Sequence, residues 1–305
     1  MSGEEKMGYQ SWAPEQSAMN PLVMDRLHKP RTVFFPGHRI KMNIVPMFLN
    51  LFVPWGVFIF CCALTSFRMM YYQPTAVGLI LVCVFAIWLL MVGGALWMRR
   101  HDPSPTWFSY GALMFGIAVV AGPLCGLYNY EYYSQRYNSI QDLKVIHGLD
   151  ASKELGQNVM DAGVVYFARG SQLDVMKSWH FHHRTTYCVA PIVSSNSSLP
   201  ETQSYDFWAV GKDCCSLGSS DFRCGAWGET KARSGIRVIS DEDMPYYRLA
   251  VQQAETLYGV MASHPLFFEW SDHPEAEVKS WARLAFRNYL FLVGFAFVVS
   301  LFCLS

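Results

Sequence analysis

Apolar and polar positions fall in blocks along this chain. Three apolar runs lie close together in its first half: residues 44–67, "IVPMFLNLFVPWGVFIFCCALTSF"; residues 75–98, "TAVGLILVCVFAIWLLMVGGALWM"; and residues 107–127, "WFSYGALMFGIAVVAGPLCGL". None contains Asp, Glu, Lys, Arg or His. At a rise of ~1.5 Å per residue, each is long enough as a helix to cross a hydrocarbon core of ~30 Å. Three charge-free runs in one block read as membrane spans rather than as buried helices of a soluble protein. A fourth run, "YLFLVGFAFVVSLFCL", closes the chain and is shorter. Arg287 can snorkel at one end of it and the carboxylate of Ser305 can sit among headgroups at the other. Residues 289–305 are therefore expected to form a fourth span.

Between the third and fourth runs the pattern changes. "VVYFARG", "DVMKSWHFHH", "TTYCVAPIV", "YDFWAVG" and "GIRVIS" carry the β-branched and aromatic residues of strands. "DASKELGQNVMDAG" predicts a short helix capped by Asp150. Ser240 followed by "DEDMP" predicts a second helix start, because a cap and acidic residues favour a helix N-terminus. A third begins at Ser271 or Asp272, with Pro274 in its first turn, and is expected to run unbroken into the fourth span. The fold class that follows is a membrane protein of four transmembrane helices, with an α+β domain over residues 128–288 inserted between spans 3 and 4.

Charge then sets the orientation. Lys29, Arg31, Arg39 and Lys41 precede the first run, and Arg99 and Arg100 follow the second; only Arg68 lies between the first two. Basic loops stay on the cytoplasmic side, so the N-terminus is expected there, with the 128–288 domain on the far side of a plasma membrane or endomembrane. Lys29, Arg31, Arg39 and Lys41 are also the expected contacts to anionic lipid headgroups. Residues 1–43 read as a tail, disordered first and basic near the membrane. The start lacks the apolar core of a secretory signal. Charged residues make up only 16% of the chain, and acids and bases number 24 each; this balance gives nucleic acid no electrostatic footprint.

Nine cysteines divide along the same line. Cys61, Cys62, Cys83, Cys125 and Cys303 lie in apolar runs and read as small buried hydrophobes. Cys188, Cys214, Cys215 and Cys224 lie in the polar domain, where an even number in an oxidising compartment reads as disulfides. A Cys214–Cys215 bond between neighbours strains disulfide geometry, which leaves two pairings. Cys215–Cys224 with Cys188–Cys214 is preferred, since it closes the short "SLGSSDFR" loop; Cys188–Cys215 with Cys214–Cys224 is the other. His180, His182 and His183 stand beside Cys188 and are weak candidates for a zinc site, but neither CxxC nor HxxxH spacing is present, and no metal or other cofactor is expected. Asn196 opens an "NSS" glycosylation sequon in a polar loop.

Other features have plainer readings. Asp241, Glu242 and Asp243 sit where they would favour a helix start rather than form a carboxylate pair. Gly122 and Gly126 have the spacing of close helix packing. Tyr132 and Tyr133, after the third run, are expected to pack on the helix that enters the fourth. No span carries an ionisable residue of the kind transport at depth needs, and no catalytic motif is found.

Four spans, cytoplasmic ends, a large cysteine-bearing domain before the last span and the "DCC" of Asp213–Cys215 together resemble the layout of tetraspanins. Cys215 is followed by Ser216 rather than by the glycine of that family's signature, and Cys188 lies upstream of the pair, so the resemblance is one of topology. It implies an organiser or adaptor of membrane complexes. The expectation is a non-enzymatic protein embedded in a lipid bilayer, whose disulfide-stapled domain binds a protein partner or a second copy. The competing classes are an accessory subunit of a channel or transporter and a metal- or redox-active domain.

Overall fold

The computed structural model describes residues 44–101, 106–194 and 204–304. The basic residues Lys29, Arg31, Arg39 and Lys41, the sequon at Asn196 and the terminal Ser305 lie outside the described residues. Four helices are long and apolar enough to cross a membrane. They are α1 (Ile44–Ser66), α3 (Pro74–His101), α4 (Thr106–Asn129) and the last helix, α7 (Pro274–Leu304); a short helix, α2 (Arg68–Tyr72), links the first two. The last helix starts at Pro274 and carries Glu275 and Glu277 in its first turn, which complements the helix dipole. It runs without a break to Leu304.

Small residues and short polar bonds hold these helices together. A Cβ built on Gly122 would lie 2.9 Å from Cys61 Cβ, and one on Gly126 would lie 2.6 Å from the Cys62 carbonyl and would meet Thr65 Oγ1. The two glycines thus let α4 lie directly against α1, around a cluster that includes Phe58, Cys62 and Ala118. Trp55 donates its indole N–H to the Val293 carbonyl of α7 (3.1 Å), and Trp88 of α3 donates to Ala112 of α4 (3.0 Å). In an apolar surrounding, a polar group must find such a partner or lose several kcal/mol.

Past Asn129 the third long helix continues through a π-helical turn (Tyr130–Ser134) into α5 (Gln135–Gln141). The side chains turned toward α7 are polar. Asn129 is fully buried, donates to the Ala285 carbonyl (3.2 Å) and accepts from Asn288 (2.9 Å). The tyrosine expectation fails at Tyr132, which is 65% exposed and packs at a tilt against the Tyr128 ring. The π turn shifts the facing set by part of a turn, so that Ser134, Asn138 and Tyr137 occupy the inner side instead.

Eight strands follow: β1 (Lys144–Leu149), β2 (Ala162–Phe167), β3 (Ser171–Leu173), β4 (Trp179–His183), β5 (Thr185–Ser194), β6 (Phe207–Lys212), β7 (Ser234–Arg237) and β8 (Leu266–Ser271). They form one sheet in the order β1-β2-β7-β8-β6-β5-β3, with β4 pairing β5. The β1–β2 and β6–β8 pairs are parallel and the rest antiparallel. One face carries Phe167, Cys188, Phe207, Phe268 and Trp270. The other is covered by α6 (Met244–Tyr258), through Tyr247, Ala250, Val251 and Ala254. Gly259, at φ 66°, ends that helix in the left-handed conformation that glycine adopts without strain.

The helix predicted at "DASKELGQNVMDAG" does not form. Asp150 accepts from Ser152 N–H and Oγ in a tight turn, and only Gly156–Val159 winds into a 3-10 helix. The chain is held there by Asp206, which is 1% exposed. Its carboxylate accepts from Gly156 N–H (2.9 Å), Ser204 Oγ (2.5 Å) and His264 N–H (3.2 Å).

Candidate functional site

The segment Asp213–Gly225 is placed by the β5–β6 pair. Tyr187 stands opposite Lys212 in that ladder, and Asp213 extends it by two bonds of 2.8 Å, one from its own N–H to the Thr186 carbonyl and one from Thr186 N–H to its Oδ1. Asp213 adopts φ 53°, a conformation that Asp tolerates because its short side chain bonds locally. The chain reverses there and delivers Cys214 and Cys215 beside Cys188. The bridges formed are Cys188–Cys215 and Cys214–Cys224. This corrects the preferred pairing and is the alternative one. Its cause is long-range: Cys188 faces Gly211 across the β5–β6 ladder, and a Cβ on Gly211 would lie 2.5–2.7 Å from Cys224 Cβ, Cys224 Sγ and Cys214 Sγ. The missing side chain leaves a slot that the Cys214–Cys224 bridge fills.

The three histidines do not converge. His180 stands opposite Cys188, and its Nε2 accepts from the Gly218 N–H of the disulfide loop (3.3 Å), while its Nδ1 is buried without a partner. Burial pushes the His180 pKa below its ordinary value; Asp221 opposes this and His182 adds to it. His182 Nδ1 pairs with Thr186 Oγ1 (3.1 Å), and His183 stacks on Tyr246. The grouping of possible metal ligands found among the described residues is Cys188, Cys214 and Cys224, whose sulfurs lie within 4.8 Å of one another and are engaged in the two bridges.

A cleft of about 1360 Å³ opens beside this cluster. Its walls come from distant segments: Tyr71 of α2, Glu131 of the π turn, Arg136 and Ser139 of α5, Val210–Lys212 of β6, residues 237–243, and Glu269–Ser271 of β8. Cys214, Arg223 and Cys224 also line it. The acids 241–243 precede the helix, and Asp243 makes no side-chain cap. Its carboxylate instead pairs with Lys212 (2.8 Å) and accepts from Tyr187 Oη (3.4 Å). Arg136 pairs with Glu269, and its guanidinium lies 4.1 Å from the centre of the Trp281 ring, tying α5 to both the sheet and α7. Burial pushes the Arg237 guanidinium down to about 10.

The lining holds six carboxylates (Glu131, Asp241, Glu242, Asp243, Glu269 and Glu277) and four basic side chains (Arg136, Lys212, Arg223 and Arg237), a surplus of acid. Among the described residues, Glu131, Asp241 and Glu242 have no ion-pair partner. No local motif marks the cleft, because its lining is gathered from segments spread between Tyr71 and Glu277. Neither a family model, nor a curated protein, nor a solved structure matches the chain.

Proposed function

We propose that this chain is a four-pass membrane protein with its N-terminus in the cytoplasm, and that its sheet domain is displayed on the opposite, oxidising side to bind a protein partner and organise a membrane complex. The observation that carries the reading is the cleft. It is large, it is rimmed by unpaired acids, and its walls join the sheet to α5 and α2, next to the ends of the long apolar helices. A partner seated there would touch the domain and the juxtamembrane segments together. The acid surplus favours a partner that presents basic side chains. Asn129, Asn288 and the Arg136–Glu269 pair stiffen the stem, so the domain is held at a fixed angle rather than swung on a flexible linker.

Site-specific photo-crosslinking in membranes tests this. A photoreactive residue at Glu242 should give one discrete adduct, and the same residue at Met176, which is 78% exposed on another part of the domain, should give none. Equal labelling from both positions would refute the cleft as the docking site. Protease protection tests the placement: cleavage within residues 204–240 from the cytoplasmic side would overturn it.

A further inference from the structure

The two bridges touch each other, and each joins a buried cysteine (Cys188, Cys224) to a half-buried one (Cys215, Cys214). They differ in what they face: Cys214 and Cys224 line the cleft, and Cys188 and Cys215 do not. Gly211 lets the second bridge lie against the first, with Cys188 Sγ within 4.8 Å of the sulfurs of both Cys214 and Cys224. Lys212 and Arg223 line the same wall, two residues before Cys214 and one before Cys224. Both are engaged, Lys212 with Asp243 (2.8 Å) and Arg223 with Asp221 (3.9 Å), so they mark the wall without adding a free charge; the thiolate is the form that attacks and leaves in exchange.

We propose that Cys214–Cys224 is a thiol-exchange site, reached through the cleft by a dithiol reductant or a dithiol-bearing partner, and that Cys214 then passes the exchange to the Cys188–Cys215 bridge beside it, which does not line the cleft. In the first step a thiolate of the dithiol attacks Cys224 Sγ, forms a mixed disulfide and releases the Cys214 thiolate. The second thiol of the reagent closes its own disulfide and frees Cys224. Two electrons and two protons pass from the dithiol to the protein. In the second step the Cys214 thiolate attacks Cys188 Sγ. The Cys188–Cys214 bond forms, the Cys188–Cys215 bond breaks, and Cys215 leaves as a thiolate that takes a proton from water, with no net redox change. Cys214 is the exchanging residue because its transfer leaves Cys215 and Cys224 free, and these can bridge again across the eight-residue loop between them. Transfer by Cys224 would leave the neighbours Cys214 and Cys215, whose bond is strained. The four cysteines have two unstrained pairings, and the contact between the bridges supplies a path from one to the other.

The inference takes the cleft from the reading above, but its test needs no partner, so the two can fail separately. The full-length protein in mild detergent is treated with increasing dithiothreitol under argon, quenched with acid, alkylated and mapped by mass spectrometry. Cys214 and Cys224 should be alkylated first. A Cys188–Cys214 peptide should then appear as the Cys188–Cys215 peptide falls in the same proportion. Simultaneous opening of both bridges, or an unchanged Cys188–Cys215 peptide while Cys214 and Cys224 are alkylated, overturns the proposal. A variant pair gives an independent reading without reductant. Cys224→Ser leaves Cys214 as a free thiol and should yield alkylated Cys215; the double variant Cys214→Ser/Cys224→Ser has no attacking thiol beside the bridge and should keep Cys188–Cys215 intact. Alkylation of Cys214 alone in the first variant refutes the transfer step.

Discussion

Asp206 should be one of the most sensitive polar positions in the sheet domain, and the cost of changing it can be worked from its bonds. The side chain is 1% exposed and accepts from three donors: Gly156 N–H, Ser204 Oγ and His264 N–H. Among the described residues no cation pairs with it, and the negative charge is held by hydrogen bonds. Burial is the largest single influence and would raise its pKa; the bonds from Ser204, Gly156 and His264 outweigh it and hold the carboxyl below its usual range. Asp206→Asn keeps one acceptor oxygen and turns an amide NH₂ toward a backbone N–H. One buried donor is then unsatisfied, at about 1–3 kcal/mol, and the remaining bonds lose their charge assistance, so the total is about 2–4 kcal/mol. At ~4 °C per kcal/mol for a domain of this size, melting should fall by roughly 8–16 °C. Tryptophan-fluorescence melting in detergent at pH 7 reads the loss, and hydrogen exchange should accelerate at the Gly156 and His264 amides. The folded pKa is depressed, so the charged form stabilises the fold above the ordinary carboxylate value of ~3.9 and its contribution is lost as pH falls through the lower folded value. The gap between wild type and variant should therefore persist at pH 5 and close only in stronger acid. A variant that melts within about 1 °C of wild type, with unchanged exchange at both amides, would show that the Asp206 bonds do not carry this stability.

Three further outcomes follow from other parts of the molecule. Gly126→Ala puts a methyl group 2.6 Å from the Cys62 carbonyl and should cost about 1–3 kcal/mol by overpacking α1 against α4; Gly78→Ala, which meets nothing within 4 Å, should not lower thermal stability in detergent. Removing a bridge should cost in proportion to the loop it closes: by chain entropy roughly 3.6 kcal/mol for Cys188–Cys215 and roughly 2.8 kcal/mol for Cys214–Cys224, whose sequence separations are 27 and 10. Denaturant unfolding of the two double-serine variants checks the order, and a larger loss from the shorter loop counts against it. Protonating His180 would set a second donor against Gly218 N–H; since its folded pKa is depressed, stability is lost as pH falls below the ordinary histidine value of ~6.5. The protection of the Gly218 amide, its exchange measured against the intrinsic rate at each pH, should fall on acidification, and His180→Gln, which accepts at every pH, should flatten that fall.

The apolar runs were legible because length and the absence of charge are local properties: the four long helices match them, and the last extends back to Pro274. Strands β2, β4, β5, β6 and β7 were legible for a similar reason, since each carries β-branched or aromatic residues in a short run, buried in all but β4, which is only half-buried. Three strands were not. β1 is an exposed edge with little alternation, and β3 spans only three residues. β8 is central, yet "LFFEWS" is not among the expected strands: it stands alone between two helices in the chain, and its parallel partner β6 lies far back. The disulfide pairing failed on the same kind of information, because Gly211 decides it by what it lacks.

That strand also explains why the cysteine loop sits where it does. β6 and β8 pair in parallel only as far as Ala209 opposite Phe268, although β6 continues to Lys212 and β8 to Ser271. Beyond that point the strands part, and a backbone acceptor on β8 would be left open within the sheet, at a cost comparable to a lost hydrogen bond. The chain after Cys224 fills the gap: Ala226 donates its N–H to the Trp270 carbonyl (2.9 Å), and Gly225, at φ 58°, brings the backbone close enough, since a Cβ there would strike that same carbonyl. The Cys214–Cys224 bridge thus pins to β6 the segment that repairs β8, and the fork between the two strands becomes one wall of the cleft. Opening this bridge should therefore change more than covalent connectivity. It should loosen the Ala226–Trp270 bond first and alter the cleft before the rest of the sheet responds. Exchange at the Ala226 amide, followed as Cys214 and Cys224 are reduced, reads this step directly; continued protection at Ala226 after the bridge has opened would separate the fastener from the wall.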